Sequence, residues 1–315
     1  MQVENFFQKM SDGTEVAVNR WIPDDKDSIK GIIVLSHGMQ EHSMRYDKVG
    51  SEAASRGYVF SGHDHRGHGK TASHAEALNT GMFGKLADKD GFEKVTSDLA
   101  EIINKLKKDF PGKKIILFGH SFGSFVSQNY IEKYGSAIDG CVLCGTSGPN
   151  PAAAFGKVFM TLAVLIHGKN YKSKFCQALA FGGYNNKFKK EKDSLAWLSK
   201  SLSNREMYRN DSWCGGVSSV GFFKDLTSGL CKIHKTSNIK MIPENLPVFA
   251  VYGTDDPVGN YGKSIEKLLS IYRKNGIKNA SSKSYSDNRH EILNEADGEK
   301  VLSDVFEWIE KNVSL

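Results

Sequence analysis

No stretch of these 315 residues is long and apolar enough to span a bilayer. The most apolar run, AAAFGKVFMTLAVLI from Ala152 to Ile166, is interrupted by Lys157 and falls short of the ~20 residues a spanning helix needs. The amino-terminal MQVENFFQKMSDGTEVAV places Glu4 early and has no apolar core of leader length, so no secretory signal is expected there. Cysteine is scarce and odd in number, five residues scattered apart from Cys141 and Cys144. That pair lies in IDGCVLCGTSG, a buried-strand pattern in which positions three apart face opposite ways, so structural thiols are expected rather than a redox or metal pair. These absences predict a reducing, cytoplasmic setting. The formal net charge of +6 is spread along the chain, with one concentration, NNKFKKEKD from Asn185 to Asp193. Phe188 is its only aromatic, which removes the stacking platform of a nucleic-acid site, and no nucleic-acid partner is expected. The run reads as a solvated face that also offers peripheral contact to an anionic membrane surface.

What the chain does contain is a rhythm. Lys30–Gly38, Gly57–His65, Lys113–His120 and Ile138–Thr146 are short apolar runs closed by Gly, Ser, Thr or His, the pattern of strands buried on both faces of a parallel sheet. Between them, residues 46–56 and 92–110 carry apolar positions three and four apart, as amphipathic helices do. Residues 9–22 read as an antiparallel hairpin turning at Asp12 and Gly13. After GTSGPNP the pattern turns helical or irregular, and LPVFAVYGTDD restores the strand signal, followed by helical, edge-strand and helical segments. The expected fold class is α/β, a mostly parallel sheet with a helical insertion: core over 1–150, cap over 151–245, and core again over 246–315.

Reactive groups in such a sheet collect at the carboxyl ends of the strands. There LFGHSFGSF sets Ser121 between Gly119 and Gly123, after a strand and before a helix pattern, the G-x-S-x-G context of a serine held on a strained turn. A serine hydroxyl needs a base, and His290 lies in the loop before the last helix. An acid must orient that imidazole, and YGTDDP offers Asp255 and Asp256. HDHRGHG at His63–Gly69 invites a metal, but its glycines argue against a rigid ligand cage, and neither a metal nor a cofactor is expected.

Five blocks, SHGMQEHSMRY, SGHDHRGHGKT, GHSFGS, YGTDDPV and RHEILNE, resemble the α/β-hydrolase branch that holds monoacylglycerol lipases, lysophospholipase-like proteins and some serine aminopeptidases. The resemblance covers both ends of the chain, and the middle matches in position and length only. It implies Asp256 rather than Asp255 as the acid, and backbone N–H groups of Met39 and Phe122 as the oxyanion hole. It further implies that Glu41 and Arg45 shape the polar end of the site. Animal monoacylglycerol lipases place a second histidine three residues after the catalytic one, where this chain has Leu293, and RHEILNE looks more like the bacterial lysophospholipase-like members.

The expected activity is therefore hydrolysis of a lipid-like carboxylic ester through an acyl-enzyme, with Ser121, His290 and Asp256 as catalytic residues and a small-molecule ester as partner. Phe155, Met160, Leu162 and Leu165 are expected to line an acyl tunnel in the cap. The alternatives are a serine aminopeptidase, a small-ester carboxylesterase, and a ligand-binding receptor on the same fold. Oligomeric state is left open by the sequence.

Overall fold

The structure, a computed structural model, describes residues 1–313. The described residues build one eight-stranded sheet in the order β1-β2-β4-β3-β5-β6-β7-β8. The strands are β1 Gln2–Lys9, β2 Glu15–Ile22, β3 Gly31–Ser36, β4 Tyr58–His63, β5 Lys114–His120, β6 Gly140–Cys144, β7 Val248–Gly253 and β8 Ala280–Tyr285. The hairpin β1–β2 and the pair β2–β4 are antiparallel, and every later pairing is parallel. Strands β3, β4, β6 and β7 are buried at every position, as their uninterrupted apolar runs demand. β8, at the sheet edge, alternates more openly.

Helices α1 Asp47–Ser55, α2 Gly69–Ala77, α3 Gly91–Asp109 and α4 Phe122–Tyr134 belong to the first half, and α10 Lys263–Lys274 and α11 Gly298–Asn312 to the second. Between β6 and β7 the chain forms the cap helices α5 Ala152–His167, α6 Lys174–Phe181, α7 Leu202–Asn210, α8 Val220–Ile233 and α9 Thr236–Ile239. Helix α2 has no counterpart in the sequence reading. Its buried positions are Gly69, Thr71 and Ala72, too small to write an apolar stripe. The two sides of the sheet carry separate cores: Cys141 packs with Leu117 and Leu143 on one, Cys144 with Phe118 and Val142 on the other. The expected opposition of these two thiols holds, and all five cysteines are free.

The basic run is less solvated than its composition suggests. Phe188 is buried under the guanidinium of Arg289, 4.0 Å from its ring centroid, while Lys189 and Lys190 stay exposed. Helix α4, which follows directly on Ser121, is buried along nearly its whole length between sheet and cap. It includes Glu132, whose two carboxylate oxygens are buried and have no hydrogen-bond partner. Burial pushes its pKa up to about 9. The folded chain therefore keeps a proton that the unfolded chain releases above its ordinary value of 4.5, and stability falls as pH rises from there toward 9. At pH 7 the deficit is about 3 kcal/mol. Glu132→Gln should match wild type near pH 5 and become progressively more stable by pH 8, as read from urea-unfolding midpoints across that range.

Candidate active site

The turn from β5 into α4 explains its two glycines. Ser121 sits at φ 51° and ψ −118°, a conformation that costs a non-glycine residue about 1–3 kcal/mol. A Cβ on Gly123 would lie 1.9 Å from the carbonyl oxygen of Ser36, and one on Gly119 would lie 2.3 Å from Ser127 Oγ. Gly123 lets the helix approach β3, and Gly119 lets it approach β5. The Ser121 N–H is held by the carbonyl of Cys144 on the neighbouring strand (3.0 Å).

His290 Nε2 lies 2.8 Å from Ser121 Oγ, and His290 Nδ1 lies 3.0 Å from Asp256 Oδ2. Asp256 is fully buried, and its second oxygen accepts the Val258 N–H. With the carboxylate accepting from Nδ1–H, Nε2 is left free to accept the serine proton. The adjacent Asp255 points elsewhere, pairing with Lys187 of the cap. The cap also reaches the histidine: the Trp197 ring packs 5.1 Å from the His290 ring, and Leu198 O accepts the Glu291 N–H. The Met39 and Phe122 N–H groups donate to no protein acceptor among the described residues.

Beneath this relay lies a buried charge network that sequence reasoning missed. Arg45 donates to Glu41 (2.6 Å) and, with both terminal nitrogens, to Glu291 (2.6 and 2.9 Å). Glu41 also accepts the Gly38 N–H and the Tyr46 hydroxyl, with His120 Nδ1 at 3.3 Å. Asn204 from α7 joins at Glu291. Burial opposes every one of these charges. Even so, the hydrogen bond to His120 and the charge of Arg45 hold Glu41 well below the usual carboxylate range, and Arg45 lowers Glu291 likewise. In return the carboxylates raise Arg45 and His120 above their ordinary values. Glu41 and Arg45 were expected to shape the polar end of the site; Glu41 lines the smaller cavity beside Ser121, and the polar atoms of both are engaged with one another and with Glu291, because a buried charge needs partners on its lone pairs or protons.

The histidines of HDHRGHG pack on one another and on neighbouring rings. His65 lies tilted against His37, His63 stands edge-on to His65 and His68 stacks on Phe122, and burial lowers the pKa of His37 and His68 to about 4 and of His63 to about 3. His37 Nδ1 donates to Gly38 O (2.8 Å) and its Nε2 accepts the His65 N–H (2.9 Å), so this neutral stack braces the loop that carries Met39.

Ser121 sits at the junction of two cavities. One, about 110 Å³, has apolar walls of Phe122, Phe125, Ala153, Phe181, Leu226, Leu230 and Val258. The other, about 40 Å³, is lined by Gln40, Glu41, His120, Trp197, Tyr208 and Glu291. The expected tunnel residues are elsewhere. Met160 is buried in the core, and Phe155, Leu162 and Leu165 are 80%, 52% and 77% exposed. Helix α5 is apolar around its whole circumference, so its sequence does not reveal which side turns inward. Gly156, Met160 and Ala163 make the stripe against α8, and Ala153 alone of this helix reaches the cavity.

The sheet order, the serine turn between β5 and α4 and the helical cap define an α/β-hydrolase. The sequence profile of the family described as serine aminopeptidase, S33, matches residues 27–297, and the chain belongs to that family. The monoacylglycerol lipase of Mycolicibacterium smegmatis is 24% identical over 301 residues, 94% of this chain and 93% of its own. The monoglyceride lipase homolog of monkeypox virus is 34% identical over 98 residues, 31% of this chain and 32% of that protein. A carboxyl esterase from Bacillus coagulans, solved in complex with glycerol, superposes with a TM-score of 0.90 at 24% identity over 99% of both chains. A soluble variant of the Saccharomyces cerevisiae monoglyceride lipase gives 0.78 at 18% identity, over 100% of this chain and 97% of that one. These two structural likenesses establish the fold.

Proposed function

We propose that the protein hydrolyses carboxylic esters with a lipid-like acyl group, of the monoacylglycerol or lysophospholipid type, through an acyl-enzyme. The observation that carries this reading is the continuous hydrogen-bonded line from Asp256 through His290 to Ser121, ending where an apolar and a polar cavity meet. Ser121 Oγ attacks the carbonyl carbon as His290 Nε2 takes its proton, and Asp256 stabilises the imidazolium that forms. The Met39 and Phe122 N–H groups receive the charge on the carbonyl oxygen, where one donor is worth about 3 kcal/mol. The alcohol departs with the proton from His290, and water then repeats the sequence to free the acid. The acyl chain occupies the apolar cavity and the alcohol the smaller polar one, which within these two types favours the monoacylglycerol over the larger lysophospholipid head group.

The family description names an aminopeptidase, an activity that needs free carboxylates for the substrate ammonium. The cap acids are already engaged: Glu191 by Arg205 and Arg289, Asp193 by Arg205 and Arg209, Glu206 by Arg209, Asp211 by His42, and Asp225 by the Gly91 N–H. This favours the ester. Membrane contact moves from the basic run to α5 and α6, whose exposed Phe155, Val158, Leu162, Leu165, Ile166 and Phe175 are interspersed with exposed Lys157 and Lys174, with exposed Lys172 on the segment between the helices. An apolar face rimmed by lysine suits an anionic lipid surface.

A fluorophosphonate probe should add one adduct, at Ser121, because only an activated serine attacks such phosphorus centres readily. Asp256→Asn should lower turnover about 10³- to 10⁴-fold, whereas Asp255→Asn should cost less than about tenfold. Absent labelling would remove the hydrolase reading and leave a ligand receptor, whereas equal losses at the two acids would mean that Asp256 is not the acid that orients His290.

Chain-length preference should follow the cavity and not the exposed face. Leu230→Trp should cut kcat/KM for long-chain p-nitrophenyl esters at least about tenfold, the worth of two buried methylenes, and spare acetate. Leu165→Glu should spare both in solution but weaken sedimentation with phosphatidylglycerol vesicles by roughly tenfold or more. Acetate as the best wild-type substrate would favour a small-ester carboxylesterase.

A further inference from the structure

We propose that His42, Asp211 and Cys214 form a site for a zinc-type divalent cation that bridges the cap to the loop carrying Met39. His42 lies on the core loop after β3, and Asp211 and Cys214 follow α7 in the cap. The residues are distant in sequence, yet their ligand atoms all lie within 4.8 Å of one another. Tetrahedral zinc with bonds of about 2.0–2.3 Å sets its ligand atoms about 3.3–3.8 Å apart, so closure asks for shifts of an ångström or so. An imidazole, a carboxylate and a thiol together match the preferences of zinc and cobalt rather than those of calcium or magnesium.

The local geometry already aims these groups inward. Asp211 Oδ1 is tied to the Trp213 N–H (2.9 Å), which turns Oδ2 toward His42 Nε2, 2.8 Å away. The Cys214 N–H returns to the Asp211 carbonyl (3.0 Å), folding the thiol back over the pair. The Trp213 ring stands edge-on to the buried His42 ring at 5.2 Å. Burial holds the Cys214 thiol above its ordinary value, with Glu41, Asp211 and Glu291 adding to it against Arg45, so a cation must displace its proton. Binding displaces the thiol proton to solvent and moves the imidazole proton to Nδ1, releasing one proton per cation. Gln40, next to Met39, already accepts from Gly215 N–H (3.1 Å) and Tyr208 hydroxyl (3.0 Å) of the cap, so a cation here would fasten an existing contact.

The test uses the full chain, reduced and stripped with a chelator, titrated with Co²⁺ and then Zn²⁺. One Co²⁺ per chain should bind with the strong near-ultraviolet thiolate-to-cobalt absorption and the visible bands of a tetrahedral ion, and Zn²⁺ should displace it. Cys214→Ser should abolish the thiolate band, and Asp211→Asn should weaken Zn²⁺ binding by at least tenfold in calorimetry, with unchanged circular dichroism in both variants. No binding by wild type, or a thiolate band that survives Cys214→Ser, would overturn the proposal. This readout does not depend on hydrolysis, so it stands or falls separately from the hydrolase reading.

Discussion

Arg45 held between Glu41 and Glu291 is the interaction on which the geometry around Ser121 depends. Glu41 takes the Gly38 N–H, which fixes the backbone immediately before Met39. Another of its contacts, His120, is the residue immediately before Ser121, and Glu291 is the one immediately after His290. One guanidinium thus reaches all three loops, each one residue away from a group that the proposed chemistry uses. Buried pairs of this kind contribute little net stability compared with apolar packing, but loss of one partner typically costs about 3–5 kcal/mol because the remaining charge is stranded. The network is therefore better understood as fixing one arrangement of loops than as adding stability.

The sheet brings those loops together in the first place. β3 lies between β4 and β5, so the loop after β3 and the serine turn after β5 leave adjacent strands at the same edge. The strained Ser121 backbone is sustained by close packing that a Cβ at Gly119 or Gly123 would destroy. The cap then closes the site from above, with Trp197 against His290 and Tyr208 over Arg45. Core and cap share hydrogen bonds at Gln40, Glu291 and Arg289, so movement of one is felt by the other.

The core strands, the serine turn and the histidine loop were legible because each has a local signature: continuous apolar runs, G-x-S-x-G, and a strand end followed by a helix. Choosing Asp256 over Asp255 needed the family resemblance, and the structure shows the physical difference, one buried against His290 and the other paired with Lys187. The cap was illegible in detail. Helix α5 is apolar on every side, so its period could not tell the cavity from solvent, and the four residues assigned to a tunnel were misplaced. The network around Arg45 joins residues up to 246 positions apart and has no local pattern. The partner of His42, Asp211, was hidden for the same reason.

If one buried guanidinium holds three loops in register, its removal should loosen all three at once, and hydrogen–deuterium exchange reads that loosening. In Arg45→Met, amides in peptides covering residues 37–41, 119–122 and 289–292 should lose protection together, while β5 and β7 exchange as in wild type. Faster exchange confined to the neighbourhood of residue 45, with the serine and histidine loops unchanged, would show that Arg45 does not hold those loops.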